Sequence, residues 1–127
     1  MTFYIEKISL TQFRNYTAPR LSGLEDRKIN VLIGPNGAGK TNILESISLL
    51  NPGRGIRQAK NNDLKNINAT SHEYWAIVAS IHTPDGLVQV GTGQTPDKSS
   101  RTIRINGIDQ SSQSSLAEIS AIIWLIP

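Results

Sequence analysis

The sequence predicts an α/β fold in which a buried strand, a glycine-rich turn and an amphipathic helix lead into an antiparallel meander. Three observations carry that prediction. Ile29-Asn30-Val31-Leu32-Ile33 is a short, nearly continuous apolar run, the pattern of a strand covered on both faces. Residues 41–50 place Ile43, Leu44, Ile47 and Leu50 at i, i+1, i+4 and i+7, one apolar face of a helix. From residue 74 onward, β-branched runs alternate with turn signals at Thr83-Pro84-Asp85-Gly86 and Asn106-Gly107, the second a strong hairpin signal.

Each element has its own local reason. Residues 3–13 are rich in aromatic and β-branched side chains and read as a strand. Phe13-Arg14-Asn15-Tyr16 is a polar turn, and residues 16–24 supply a second strand closing a hairpin. The strand at 29–33 ends in the break from Gly34 to Gly39, and the following helix stops at Asn51-Pro52-Gly53. Residues 54–71 are polar and show no period. Strands are expected at 74–82, 87–92 and 101–105, with a loop at 93–100. Ser115-Leu116-Ala117-Glu118 has the spacing of a capping box opening a short helix, before a last strand at 121–126. Trp75 and Trp124 lie in apolar runs and are expected in the core; Arg101 and Arg104 flank a hairpin strand and are expected on an exposed face.

Composition narrows the function classes. With 127 residues and 13.9 kDa the chain has the size of one ordinary domain. It has no cysteine, which excludes disulfides, thiolate metal sites and thiol nucleophiles. No apolar run approaches the ~18 residues of a membrane span. Glu6 and Lys7 stand where an export signal needs its apolar stretch, so a cytoplasmic chain is expected. The net charge is only +3, but nine of the 13 basic residues fall within residues 1–63. His72 and His82 lack metal-ligand spacing, and Glu73, Asp85, Asp97 and Asp109 sit in or beside turns without forming an acid/base pair.

The chemistry concentrates in Gly34-Pro35-Asn36-Gly37-Ala38-Gly39-Lys40-Thr41, which fits the phosphate-loop pattern of two glycines followed by Lys and Thr. Glycines let the backbone turn its N–H groups inward as an anion nest, and the helix that starts there adds its positive end. Lys40 is placed to reach the β- and γ-phosphates, and the Thr41 hydroxyl to take one Mg²⁺ position.

Phe13-Arg14-Asn15-Tyr16, followed by the run from Ile29 through Thr41-Asn42-Ile43-Leu44-Glu45, resembles the N-terminus of the RecF family of ABC/SMC-like ATPases in bacterial DNA replication and repair. Gly53-Arg54-Gly55-Ile56-Arg57, Arg104-Ile105-Asn106-Gly107 and Trp124-Leu125-Ile126-Pro127 extend the match in the expected order. Ile126 replaces the usual Thr, and Gly55 a common serine; neither touches the phosphate loop. The resemblance implies a P-loop NTPase fold, the first lobe of an ABC-type ATPase with an attached antiparallel β-meander. Residues 1–127 would be one incomplete N-terminal ATP-binding lobe. It implies ATP and Mg²⁺ as cofactors, with Arg14, Asn15 and Asn42 near the nucleotide, and DNA contacts from Arg54, Arg57 and Lys60. It further implies an ATP-dependent homodimer in the full-length parent and binding to single-stranded or gapped DNA. Recombination mediator partners, a role in the SOS response to DNA damage and a nucleoid-associated location complete the implied picture.

Hydrolysis in such ATPases needs an acidic residue at the end of an apolar strand and a signature loop. Residues 77–81 run into His82, 87–90 into Gly91 and 122–126 into Pro127, so no strand supplies the acid, and no Leu-Ser-Gly-Gly-like stretch exists. No residue is therefore assigned a catalytic role. The expectation is a truncated lobe that binds nucleotide without hydrolysing it. The alternatives are a decayed reading frame without activity, and the lobe of another SMC-like or ABC-type ATPase.

Overall fold

The structure, a computed structural model, describes residues 3–22, 24, 30–35, 37–96 and 98–119. Six strands form one antiparallel sheet: β1 Tyr4–Thr11, β2 Arg20–Leu21, β3 Ala76–Thr83, β4 Gly86–Gly93, β5 Thr102–Ile105 and β6 Ile108–Asp109, in the order β2-β1-β3-β4-β5-β6. One α-helix, α1 (Lys40–Ser48), and two 3-10 helices at Asn61–Leu64 and Gln113–Glu118 complete the described elements.

Period-2 alternation explains the sheet. Ile8 and Leu10 of β1, Ile77, Ala79 and Ile81 of β3, Val90 of β4 and Ile103 of β5 point to one face and are buried there. Phe13 and Trp75 meet edge to face at 5.9 Å on this core, and Trp75 Nε1 donates to the Asn61 carbonyl at 2.8 Å, so the indole is buried with its polar atom satisfied. Leu49 and Leu50 bring the end of α1 into the same cluster, with Leu64 and Leu116 from the 3-10 helices. The hairpin at Asn106-Gly107 forms as expected. Both residues have positive φ (50° and 80°), the geometry that matches the twist of two paired strands.

Four sequence expectations differ from the structure. First, of residues 29–33, read as a buried strand, the described residues 30–33 pair with no strand among the described residues, and Val31 and Ile33 are 74% and 91% exposed. A parallel strand needs a parallel neighbour reached by a crossover, whereas every described ladder here is antiparallel. Second, only part of the apolar stripe is buried, with Leu50 in the core and Ile47 packed against it. Leu44 is 51% exposed, while Glu45, Ser46 and Ser48 are buried. The two serines donate back to the helix, to Ile43 O and Glu45 O at 2.6 Å each, and Glu45 finds two arginines, so burial leaves no polar group unmet.

Third, the last short helix starts earlier than the capping-box reading placed it. Ser112 is the N-cap, its side chain accepting from Ser114 N at 3.2 Å. Fourth, Arg101 is buried rather than exposed, whereas Arg104 is exposed as expected and pairs with Asp109 at 2.6 Å. Ile29, Asn36, Asp97, the strand expected at 121–126, Trp124 and Pro127 lie outside the described residues.

Candidate functional site

The loop from Gly34 to Gly39 enters α1 through two left-handed glycines, Gly37 at φ 85° and Gly39 at φ 102°. Gly37 has open space where a Cβ would stand, so only its backbone calls for glycine. Gly39 is constrained twice, because a Cβ would come within 2.6 Å of Tyr16 Oη and 2.7 Å of the Asn15 amide. Ala38 N donates to Pro35 O at 3.1 Å, closing the turn, and Gly39 is the N-cap of the helix. No side chain caps that end and no acidic residue sits in its first turn. The free N–H groups and the positive end of the helix dipole therefore face outward without a protein anion. Lys40 Nζ donates to the Gly34 carbonyl, holding the cation against the mouth of the loop. Thr41 is exposed beside it.

The turn after β1 braces this loop. Asn15 Nδ2 donates to Ala38 O at 3.3 Å, and Tyr16 Oη donates to Gly39 O at 3.1 Å. Asn42 Nδ2 donates to Asn15 Oδ1 at 2.7 Å, so the first turn of α1 is tied to the same residue. Arg14 turns the other way. Its Nε and Nη2 donate to the two carboxylate oxygens of Glu45 at 2.8 and 2.9 Å, a bidentate pair. Arg57 Nη1 completes the set, donating to Glu45 Oε1 at 3.0 Å and Asn42 Oδ1 at 2.6 Å. Glu45 is wholly buried, so the arginines supply the counter-charge that its burial requires. Arg14 adopts φ 52°, a strained backbone for a non-glycine residue, and the bidentate pair helps hold it there.

The structure thus gathers most of the sequence-predicted site residues, with different immediate partners. Gly34, Pro35, Gly37, Ala38, Gly39, Lys40 and Thr41 form the loop; Asn15 and Asn42 brace it; Asn36 lies outside the described residues. Arg14 and Arg57 both rest on Glu45, while Arg54 and Lys60 have no hydrogen-bond or ion-pair partner among the described residues. Sequence reasoning gave no site role to Tyr16, Glu45 or Arg101. Glu45 carried one signal: an acidic residue beside the apolar stripe of a helix flanked by two arginine-bearing turns.

Arg101 secures the far end of α1. Its Nη1 donates to Leu49 O at 2.6 Å and Thr92 Oγ1 at 2.9 Å, and its Nη2 to Asn51 O at 2.8 Å and Gly53 O at 3.0 Å. Burial lowers this guanidinium to about 10, still protonated at neutral pH. Carbonyls at a helix C-terminus, where the dipole is negative, replace the missing carboxylate. Gly53 is held from both sides, since its N–H also donates to Gln113 Oε1 at 2.9 Å.

A braced phosphate loop opening a helix beside an antiparallel meander defines the fold as that of the first lobe of an ABC-type P-loop NTPase. The chain belongs to the RecF/RecN/SMC N-terminal domain family, whose pattern matches residues 4–121. It is 39% identical over 125 residues to the DNA replication and repair protein RecF of Rhizobium etli, and 40% identical over 125 residues to that of Agrobacterium fabrum. In both cases the match takes in 97% of this chain and 32% of the relative's length, so the chain spans about a third of the relatives it matches. Among solved structures, the recombination mediator protein RecF of the RecFOR pathway, determined with ATP, superposes with a TM-score of 0.77 at 27% identity. That match covers 90% of this chain and 30% of the other. An SMC ATPase structure superposes with a TM-score of 0.72 at 22% identity, covering 91% and 76%, and shows the fold alone.

Proposed function

We propose that this chain is the nucleotide-binding lobe of a RecF-like DNA replication and recombinational-repair protein. The observation that carries the reading is the braced loop: two left-handed glycines locked by Asn15 and Tyr16, opening a helix whose first N–H groups meet no protein anion. This donor set suits the triphosphate of ATP. The backbone N–H groups and Lys40 bind phosphate oxygens, with Lys40 exchanging the Gly34 carbonyl for a phosphate. The bound nucleotide supplies the phosphates that the chain itself lacks. Thr41 contributes one hydroxyl to Mg²⁺. No group of three His, Cys, Asp or Glu that could hold a metal occurs among the described residues, which agrees with a cation that takes its other oxygens from phosphates and water.

Arg14 contributes by position, pairing with Glu45 and holding the turn that carries Asn15 and Tyr16 in place. Arg54 and Lys60, both unpaired, and Arg57 provide cations for DNA phosphates. In the full-length parent the lobe dimerises with ATP, engages single-stranded or gapped DNA and works with recombination mediators in the cytoplasm, at the nucleoid. No described helix is long and apolar enough to cross a membrane. The chain alone turns nucleotide over negligibly, because no run of four apolar residues in its sequence leads into an acidic residue.

Calorimetric titration of the 127-residue chain with Mg–ATP tests the reading. Binding is expected, and Lys40→Ala is expected to weaken it at least ~10-fold, about the effect of losing one hydrogen bond to a charged group. Equal affinity in Lys40→Ala and the parent chain, or steady ATP turnover abolished by that change, would count against it.

A further inference from the structure

One hollow in the described structure lies away from the phosphate loop. This cleft of about 1210 Å³ lies beyond the C-terminal end of α1, and its lining includes Lys60, Asn62, Lys65, Gln94, Lys98 and Arg101. It is a built feature. Gln94 Nε2 donates to Asn62 Oδ1 at 2.6 Å, and Asn61 Nδ2 donates to Ser99 O at 2.7 Å, tying one wall to the other.

Its charge is one-sided. Arg54, Lys60, Lys65, Lys98 and Arg101 line it, and no described lining residue is acidic. Among the described residues, the side chains of Arg54, Lys60 and Lys98 have no hydrogen-bond or ion-pair partner, in contrast to Arg14, Arg57 and Arg104, which all rest on carboxylates. Lys65 Nζ sits 5.1 Å from the Tyr74 ring centre and carries the pull of nearby Glu73. Asp63 lines the adjacent hollow of about 590 Å³, which shares Lys60 and Lys65. Three lining residues each bury a polar atom without a partner: Gln94 Oε1, Thr95 Oγ1 and Arg101 Nε, the last on a side chain only 6% exposed.

We infer that this cleft holds the phosphate backbone of a single nucleic-acid strand, with Lys60 and Lys98 facing each other as its principal cations and Lys65 and Arg54 flanking them. The inference rests on the DNA-binding reading above and moves its centre from Arg57, which is tied to Glu45 and Asn42, to a cleft that includes Lys65 and Lys98. The opening exceeds what a small-molecule pocket needs and suits a run of backbone, as grooves for single strands do. Gln94 and Thr95 offer neutral hydrogen-bonding groups beside the charges. Arg101 links the cleft to the ATPase machinery, because its other N–H groups hold the carbonyls that end α1.

The test uses the 127-residue chain and a labelled 20-nucleotide oligothymidylate, followed by anisotropy over a salt series. Four neutralised phosphates predict a log–log salt slope of roughly −3 for single-stranded DNA, at ~0.7 per phosphate. Lys60→Gln with Lys98→Gln is expected to lower that slope to roughly −1.5 and weaken binding at least ~5-fold. Lys7→Gln, an exposed loss of one charge on β1, leaves both unchanged, and Lys60→Arg with Lys98→Arg, which keeps both charges, retains the parent slope and affinity. Oligonucleotide binding that survives the double change with its slope intact overturns the cleft and leaves the broader DNA reading standing. No oligonucleotide binding by the parent chain overturns both. If tripolyphosphate then binds, insensitive to Lys40→Ala but lost in the double variant, the cleft's source is a free polyphosphate instead.

Discussion

Arg14→Ala isolates the contact on which the site's geometry turns. The substitution removes both short donors to a carboxylate that solvent does not reach, and leaves Glu45 with Arg57 alone at 3.0 Å. Two hydrogen bonds to a charged group at ~1.5 kcal/mol each give a loss of about 3 kcal/mol. This is the low end of the ~3–5 kcal/mol for breaking a buried ion pair, because Arg57 keeps the carboxylate partly compensated. For a chain of this size that corresponds to a fall in Tm of roughly 10 °C. Residue 14 sits at φ 52°, where alanine keeps the backbone strain and glycine relieves about 1 kcal/mol of it. Arg14→Gly is therefore expected to be milder than Arg14→Ala. Urea unfolding followed by tryptophan fluorescence measures all of this. A cycle with Glu45→Gln should return a coupling of about 2 kcal/mol. Arg14→Ala within ~0.5 kcal/mol of the parent chain, or a glycine variant weaker than the alanine one, would show that the pair does not hold the turn.

Three further outcomes follow from the same geometry. Gly39→Ala should cost about 2 kcal/mol or more and abolish nucleotide binding, because φ 102° and a 2.6 Å approach to Tyr16 Oη both oppose a side chain. Adding Tyr16→Phe should recover part of that stability, and calorimetry that finds no recovery would remove the steric explanation. Arg101→Met should destabilise by roughly 3 kcal/mol, since it leaves the carbonyls of Leu49, Asn51 and Gly53 without their shared donor. A neutral result in denaturant would mean that solvent satisfies them. The Thr70 N–H and hydroxyl, then Gln12, hold the Glu73 carboxyl below its ordinary value of 4.5. A lowered carboxyl stabilises the fold above that ordinary value and loses its contribution as pH falls through the lowered one. Unfolding curves at pH 5 and pH 3 should therefore differ less in Glu73→Gln than in the parent chain, and an unchanged difference would exclude this group.

What could be read from the sequence was what neighbours in the chain decide. The glycines of the phosphate loop, the hairpin at Asn106-Gly107 and the alternation along β3 each depend on residues a few positions apart, and each stands in the structure as its local chemistry requires. The candidate loop was legible for the same reason: Gly, Lys and Thr at fixed offsets state both a backbone shape and a charge. Only the tertiary structure decided the rest. Glu45 sits on the buried side of α1 because arginines 31 residues before it and 12 after it converge on one carboxylate. Arg101, read as a surface residue, is buried because its five-donor fork meets carbonyls about 50 residues away at a helix end. Residues 30–33 have an apolar pattern but no strand partner among the described residues, so Val31 and Ile33 remain exposed. Hydrophobic patterning states which surface wants covering; which partner covers it, and where two charges meet, is set by contacts between segments far apart in sequence.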